Sequence, residues 1–190
     1  MREMQLPAAR PEEADAFRAA GKIAGEARKF GAAMIQPGIR LEEVILEVEA
    51  FIRSQGAGIG FPAQTSRNHV AAHYCPRPGD PTVYCENDVA KLDVGVVVDG
   101  YLADTAQTVH LGDDPRLKRL IDASASALAA AIEVAGPGVP IKDLSTVIEE
   151  TILERGFRPV YNLTGHGIAR WRVHTPPSVP ASPDPGQKDV

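Results

Sequence analysis

The chain has 190 residues, is 44% hydrophobic and carries a formal net charge of −5. This length and composition predict a globular protein with one sizeable core and exclude wholesale disorder. The mixture of acidic and basic residues argues against a nucleic-acid partner, and the absence of an apolar run of roughly 20 residues argues against a membrane partner. Because the N-terminus also lacks a hydrophobic signal core, we expect a cytoplasmic protein. Cys75 and Cys85 are expected to be free thiols.

Two helices joined by a Pro-Gly turn are predicted at the start of the chain. Apolar residues recur at helical spacing across residues 12–34, and a second helix is predicted for residues 41–53. The turn at Pro37-Gly38 separates the two helices, and Gly56 ends the second.

The same arrangement returns about 100 residues later. Helices are predicted for residues 117–134 and 141–155, with a turn at Pro137-Gly138 and a stop at Gly156. Pro-Gly turns and glycine stops are common, but two coincident offsets with matching apolar phase favour a duplication. A period this long predicts two pseudo-symmetric halves and not a solenoid, with one half at about 12–112 and the other from about 115.

A β-hairpin is predicted between the two helical pairs. Residues 91–98 are rich in valine, Asp99-Gly100 is typical of a two-residue type I′ turn, and residues 101–109 form the return strand. This turn pairs Gly95 with Asp104 and Asp93 with Ala106. Asp93 and Asp104 therefore share one face of the hairpin as diagonal neighbours, with Cα atoms roughly 7–8 Å apart.

Two aspartates in an apolar hairpin have two interpretations. Aspartate is depleted from strands and like charges repel, so a divalent cation bound between the carboxylates would explain both. Alternatively, the face is solvated, and Val94, Val96 and Val98 alone supply the buried side.

Three of the five histidines lie in unusual surroundings. His73 follows a run of small residues, His166 is flanked by glycines, and His174 ends the segment Ala169–His174. Neutral imidazole binds metals and transfers protons near pH 7. The repeat places His73 and His174 in nearly equivalent positions, on opposite sides of one expected site. His69 and His110 are interpreted as structural or surface residues.

These segments resemble the methionine aminopeptidases, most closely the type 2 branch. The resemblance is carried by Phe61-Pro62, residues 68–74, 91–109 and 163–174, and Pro180. It implies an α+β pita-bread fold with two pseudo-symmetric halves built from helix-helix-β units, making residues 1–190 a single catalytic domain.

The resemblance also implies residue roles. Asp93, Asp104 and His166 would bind two divalent metal ions (Co, Mn, Fe or Zn), with Asp104 bridging them. His174 would hydrogen-bond the scissile carbonyl or the tetrahedral intermediate. His73 would lie at the substrate pocket, and Phe61 would line the apolar pocket for a methionine side chain.

The implied activity is removal of N-terminal methionine from nascent proteins and peptides by a metal-activated water. The family uses two further glutamate ligands that we expect after residue 190, since 187–190 resembles 86–89, which lead into the first carboxylate strand. The second half is therefore expected to be truncated, so that the chain alone would be inactive, aggregation-prone or dependent on a complementing C-terminal fragment.

Two alternatives remain open from the sequence. An aminopeptidase or dipeptidase acting before proline would share the metal arrangement, although residues 163–174 favour the methionine type. A non-catalytic pita-bread module that binds proteins or nucleic acid would be expected to lose metal ligands, whereas this chain retains each one that it covers.

Overall fold

The computed structural model describes residues 10–184 of the chain. The predicted segment at 187–190 lies outside these residues. All four predicted helices are confirmed, with ends that differ from the prediction by no more than two residues. The elements in chain order are α1 (Pro11–Met34), α2 (Leu41–Ser54), β1 (Gly58–Arg67), β2 (Val89–Val98), β3 (Tyr101–His110), α3 (Pro115–Val134), α4 (Ile141–Glu154), β4 (Thr164–Ala169) and β5 (Arg172–Pro180). Within 10–184, no helix has the length and apolarity needed to cross a bilayer.

Helix α1 begins with a capping box. Pro11 occupies the first helical position, and the Glu13 carboxylate accepts a hydrogen bond of 2.9 Å from the Arg10 backbone N–H. A side chain at this position satisfies a backbone donor that the helix itself leaves free. Further along, the buried face of α1 consists only of small residues, so the helix backbone lies close to the sheet; these are Ala20, Ala24, Ala27 and Gly31.

Strands β1, β2 and β3 form an antiparallel sheet in that order, covered on one face by α1 and α2. Leu92, Val94 and Val96 of β2 point into this core and are fully buried. Because side chains alternate along a strand, Asp93 and Gly95 point to the opposite face. The helices therefore cover one face of the sheet, and the candidate ligands lie on the other.

Two glycines in α1 give a matched test of this packing. A Cβ added at Gly31 would collide with the side chains of Val48 and Leu92, whereas one added at Gly21 would have no atom within 4 Å. We expect Gly31→Ala to lower the free energy of unfolding by about 1–3 kcal/mol. Gly21→Ala should raise it by about 0.5–1 kcal/mol, because alanine favours the helix. Urea unfolding of both variants measures the difference, and equal effects would contradict the packing described.

The backbone confirms that the second helical pair repeats the first. Gly38 and Gly138 have φ of 89° and 79°, and Gly56 and Gly156 have φ of 76° and 79°. These left-handed values are the ones that favour glycine after a turn or at a helix end. The shared glycines therefore mark the same conformation in both copies.

The correspondence ends beyond the helices. In the first copy β1 starts at Gly58, shortly after α2, whereas in the second an irregular segment follows α4 and β4 starts only at Thr164. His73 lies in a loop with φ of 65°, while His174 lies within β5. The expected equivalence of His73 and His174 is therefore wrong at the level of secondary structure.

Candidate metal and substrate site

The β2–β3 hairpin has the predicted turn and register. Asp99 and Gly100 have φ of 52° and 89°, and two positive values define a type I′ turn. Gly95 pairs with Asp104, and Asp93 pairs with Ala106. Asp93 and Asp104 therefore lie on the same face of the sheet, opposite to the helices.

Asp93 is the most perturbed acid of this face. Burial, and then the negative charge of Asp104, raise the pKa of the Asp93 carboxyl to about 6, while His73 partly offsets the rise. Its Oδ1 atom is buried and has no hydrogen-bond partner within residues 10–184. An unpaired buried acceptor is costly, so this oxygen is available to a cation or a proton.

Asp104 contacts the histidine-bearing hairpin. Its Oδ2 atom lies 3.5 Å from His166 Nε2, and the rings of His166 and His174 meet edge-on with centroids 4.3 Å apart. His166 Nδ1 lies 3.1 Å from the Gly167 carbonyl oxygen. Because a carbonyl only accepts, Nδ1 must donate, and neutral His166 then presents the lone pair of Nε2 to Asp104.

Close backbone packing sets the position of His166. Strands β4 and β5 pair antiparallel, and the register shifts between His166 and Gly167. A Cβ added at Gly167 would collide with the Pro176 carbonyl group, so the strands can approach this closely only with glycine there. Irregularities of this kind re-aim the neighbouring side chain. Gly167 is thus needed for the close approach of β4 and β5 beside His166.

Phe61 packs across the same face as the aspartates. It pairs with Gly95, and its ring occupies the space that a Cβ at Gly95 would need. Gln64, which the sequence interpretation missed, pairs directly with Asp93 and has a buried Oε1 without a hydrogen-bond partner in the described part of the chain. A polar residue within a strand was the available signal, but the β1–β2 register was needed to place it.

The structure thus brings the predicted site residues around one face of the sheet. Asp104 contacts His166, and His166 contacts His174. Asp93 and Phe61 lie on the same sheet face as Asp104, and His73 interacts with Asp93 through charge. Across residues 10–184, no three His, Cys, Asp or Glu side chains form a cluster that could hold a metal ion. The candidate metal ligands of the described residues therefore meet in pairs and do not form a group of three around one point.

The chemistry of these pairs fits a divalent metal. Two acceptors, His166 Nε2 and Asp104 Oδ2, face each other at 3.5 Å. Ligand atoms bound at about 2.1 Å to one metal are separated by roughly 3.0–3.4 Å, which is close to this distance. The unpaired Asp93 Oδ1 supplies a further oxygen on the same face. Mixed carboxylate and imidazole ligands suit Mn, Fe, Co and Zn, so the donor set does not select one metal.

Comparison with known proteins gives the same family throughout. Metallopeptidase family M24 matches residues 15–189. A methionine aminopeptidase of Pyrococcus horikoshii is 44% identical over 168 residues, which are 88% of this chain and 56% of that protein. One from Methanothermus fervidus is 37% identical over 175 residues, covering 86% of this chain and 93% of that protein. The chain thus spans about half the length of the Pyrococcus relative.

The fold comparison agrees. The crystal structure of methionine aminopeptidase from Thermotoga maritima superposes with a TM-score of 0.89 at 28% identity, covering 97% of this chain and 76% of that one. The expected α+β pita-bread architecture is therefore confirmed. Taken with the match over residues 15–189, these similarities show that the chain belongs to metallopeptidase family M24.

Proposed function

We propose that this chain provides metal ligands and substrate contacts of a methionine aminopeptidase of the type 2 branch, which removes N-terminal methionine from peptides and nascent proteins. The observation that carries the proposal is the pair His166 Nε2 and Asp104 Oδ2, 3.5 Å apart, beside the unpaired Oδ1 of Asp93. The resemblance of residues 163–174 supports the type 2 assignment. Residues 12–112 and those from 115 would be the two halves of one catalytic domain.

Asp93, Asp104 and His166 would hold the metal, with Asp104 shared between two ions. The metal would lower the pKa of a water molecule and stabilise negative charge on the substrate carbonyl. The side chains hold the ligand atoms in position for this chemistry. The Nδ1–H group of His166 donates to the Gly167 carbonyl and so keeps Nε2 directed at Asp104.

The two other histidines would act on the substrate. The His174 ring contacts the His166 ring, so a carbonyl group held next to the ligands would lie within reach of an imidazole N–H. Donation of that hydrogen bond would orient the scissile bond and stabilise the developing oxyanion. His73 is exposed and acts electrostatically on Asp93, which fits a place near the substrate amino group.

Phe61 would supply the apolar wall for the methionine side chain, and Gly95 leaves room for its ring. We expect Gly95→Ala to displace the Phe61 ring and to raise KM for methionyl peptides about tenfold, with a smaller effect on kcat. The reason is that the added Cβ and the ring compete for the same space. Steady-state kinetics checks this, with Gly21→Ala as a control remote from the site. An unchanged KM would show that Phe61 does not line the pocket for the methionine side chain.

The proposed function is tested by methionine release from Met-Ala-Ser. With the two further glutamate ligands supplied by a complementing fragment, we expect release with added Mn²⁺ or Co²⁺, loss of release with EDTA, and no comparable cleavage of Xaa-Pro peptides. Because the chain spans about half of the Pyrococcus relative, a parallel reaction adds the part of that relative outside the matched region. Preferential cleavage of Xaa-Pro peptides would support the rival peptidase. Absence of metal binding and of cleavage in both reactions would favour a non-catalytic module.

A further inference from the structure

The turns of the two ligand-bearing hairpins are bonded to each other. The Trp171 backbone N–H donates to the Gly100 carbonyl oxygen at 2.7 Å. Beside it, the Arg170 guanidinium Nε donates to the Asp99 carbonyl oxygen at 3.1 Å. We call these four residues, Asp99, Gly100, Arg170 and Trp171, the hairpin clasp. It joins the β2–β3 turn to the β4–β5 turn.

Side-chain contacts reinforce the hairpin clasp. A Cβ added at Gly100 would lie 2.6 Å from two atoms of the Trp171 indole, so the indole packs directly on the glycine. The Arg170 guanidinium carbon lies 5.5 Å from the centroid of the Tyr101 ring, within the range of a cation–π contact. The Tyr101 hydroxyl in turn donates to Glu13 at the start of α1, at 3.0 Å. The clasp is therefore anchored to the first helix.

The indole also borders a small apolar pocket between the hairpins. Residues from β1, β2, β3 and the β4–β5 hairpin surround it: Ile59, Gly60, Val97, Leu102, Trp171 and Val173. Val97 and Leu102 share the sheet face of Asp93 and Asp104, since they alternate in step with them. The clasp thus lies at one end of the ligand-bearing face.

The two hairpins belong to different sheets. Strands β1 to β3 form one sheet and β4 and β5 another, so within residues 10–184 no ladder of backbone hydrogen bonds sets the placement of His166 relative to Asp104. We propose that the hairpin clasp does so, with Trp171 and Arg170 acting as positioning residues for the His166–Asp104 pair. The catalytic consequence rests on the proposed function, whereas the positioning itself does not.

A backbone feature agrees with this role. Trp171 has φ of 59°, in the left-handed region that a bulky side chain rarely adopts. Its side chain is nevertheless 70% exposed, so the residue is not held there by burial in the core. Trp171 is the second residue of the two-residue β4–β5 turn, because Ala169 pairs with Arg172, and a turn this tight calls for a left-handed residue. The bond to Gly100 and the packing of the indole on that glycine add contacts from the other hairpin to the same residue.

The test compares Trp171→Ala with Trp171→Phe, Arg170→Ala and Tyr161→Ala. Tyr161 is the matched control because it is an aromatic residue that is 64% exposed and lies outside the clasp. NMR cross-relaxation between the His166 ring and the Asp104 methylene protons reports the positioning directly and needs no metal. We expect Trp171→Ala and Arg170→Ala to weaken it, and Trp171→Phe and Tyr161→Ala to preserve it. If Trp171→Ala fails to fold, Arg170→Ala decides the test.

Mn²⁺ titration of the same proteins separates the inference from the proposed function. Trp171→Ala is expected to weaken Mn²⁺ binding about tenfold, because it removes a residue that orients a metal ligand. The Mn²⁺ affinity of Trp171→Phe should stay close to that of the wild type. Unchanged cross-relaxation in both Trp171→Ala and Arg170→Ala would show that the hairpin clasp does not position His166 relative to Asp104. A wild-type chain that shows the cross-relaxation but binds no Mn²⁺ overturns the proposed function and leaves the positioning role supported.

Discussion

Replacing Asp104 by alanine is expected to abolish metal binding and methionine release. Asp104 lies between the candidate ligands of the two hairpins, because it contacts His166 at 3.5 Å and shares a sheet face with Asp93. Its removal takes away the proposed bridging ligand and leaves His166 Nε2 without its carboxylate partner. We expect Mn²⁺ affinity to fall at least about 100-fold and release from Met-Ala-Ser to fall about 1,000-fold or more.

Asp122→Asn serves as the control for Asp104→Ala. Asp122 is exposed on α3 and lies outside the candidate site, so its replacement changes the net charge without touching the ligands. Titration calorimetry and methionine release are measured for both variants, with circular dichroism to confirm folding. Wild-type Mn²⁺ affinity in folded Asp104→Ala would show that the metal binds elsewhere.

The β2–β3 hairpin was predictable in detail because its information is local. A two-residue turn of Asp99 and Gly100 determines the register of both strands, and the register determines which side chains share a face. The pairing of Gly95 with Asp104 therefore followed from the sequence and is confirmed. The helices were predictable for the same reason, since their apolar spacing and glycine stops depend only on neighbouring residues.

Contacts between distant segments were beyond this reasoning. Gln64 faces Asp93 because β1 pairs with β2, and the loop between these strands carries no register signal. The contact of Trp171 with Gly100 depends on how two sheets approach each other. The repeat also failed for His73 and His174, because the segments after the two helical pairs form different structures. The duplication therefore predicts the helices and not the segments that follow them.

The metal-ligand role proposed for His166 came from resemblance, and the structure adds the local geometry on which that proposal rests. A lone histidine between glycines is compatible with many environments. Here the hydrogen bond to Gly167 leaves Nε2 free, and the irregular β4–β5 pairing directs it at Asp104. The irregular pairing could not be inferred from the residues alone, because it requires the partner strand, and the hydrogen bond to the adjacent Gly167 requires the local backbone conformation.

Asp93→Asn is expected to stabilise the metal-free protein at neutral pH while preventing metal binding. The ordinary pKa of an aspartate is about 3.9. Burial and Asp104 raise the pKa of folded Asp93 to about 6. At a pH between these two pKa values, folded Asp93 holds a proton that unfolded Asp93 has lost. The free energy of unfolding therefore falls as pH rises from about 4 to about 6. Allowing for solvent screening of this partly exposed group, the loss is about 1–2 kcal/mol.

Asparagine avoids this loss of stability, because its side chain cannot ionise. In EDTA at pH 7.5, Tm of Asp93→Asn should exceed that of the wild type by roughly 2–8 °C, and at pH 4 the two should agree. Added Mn²⁺ should reverse the order, since it stabilises only the protein that binds it. Wild-type Mn²⁺ affinity should also fall about tenfold per pH unit below about pH 6, as protons compete for Asp93. Scanning calorimetry at both pH values checks the sign: a metal-free Asp93→Asn protein that melts below the wild type at pH 7.5 would contradict the proposed cost of the buried carboxylate.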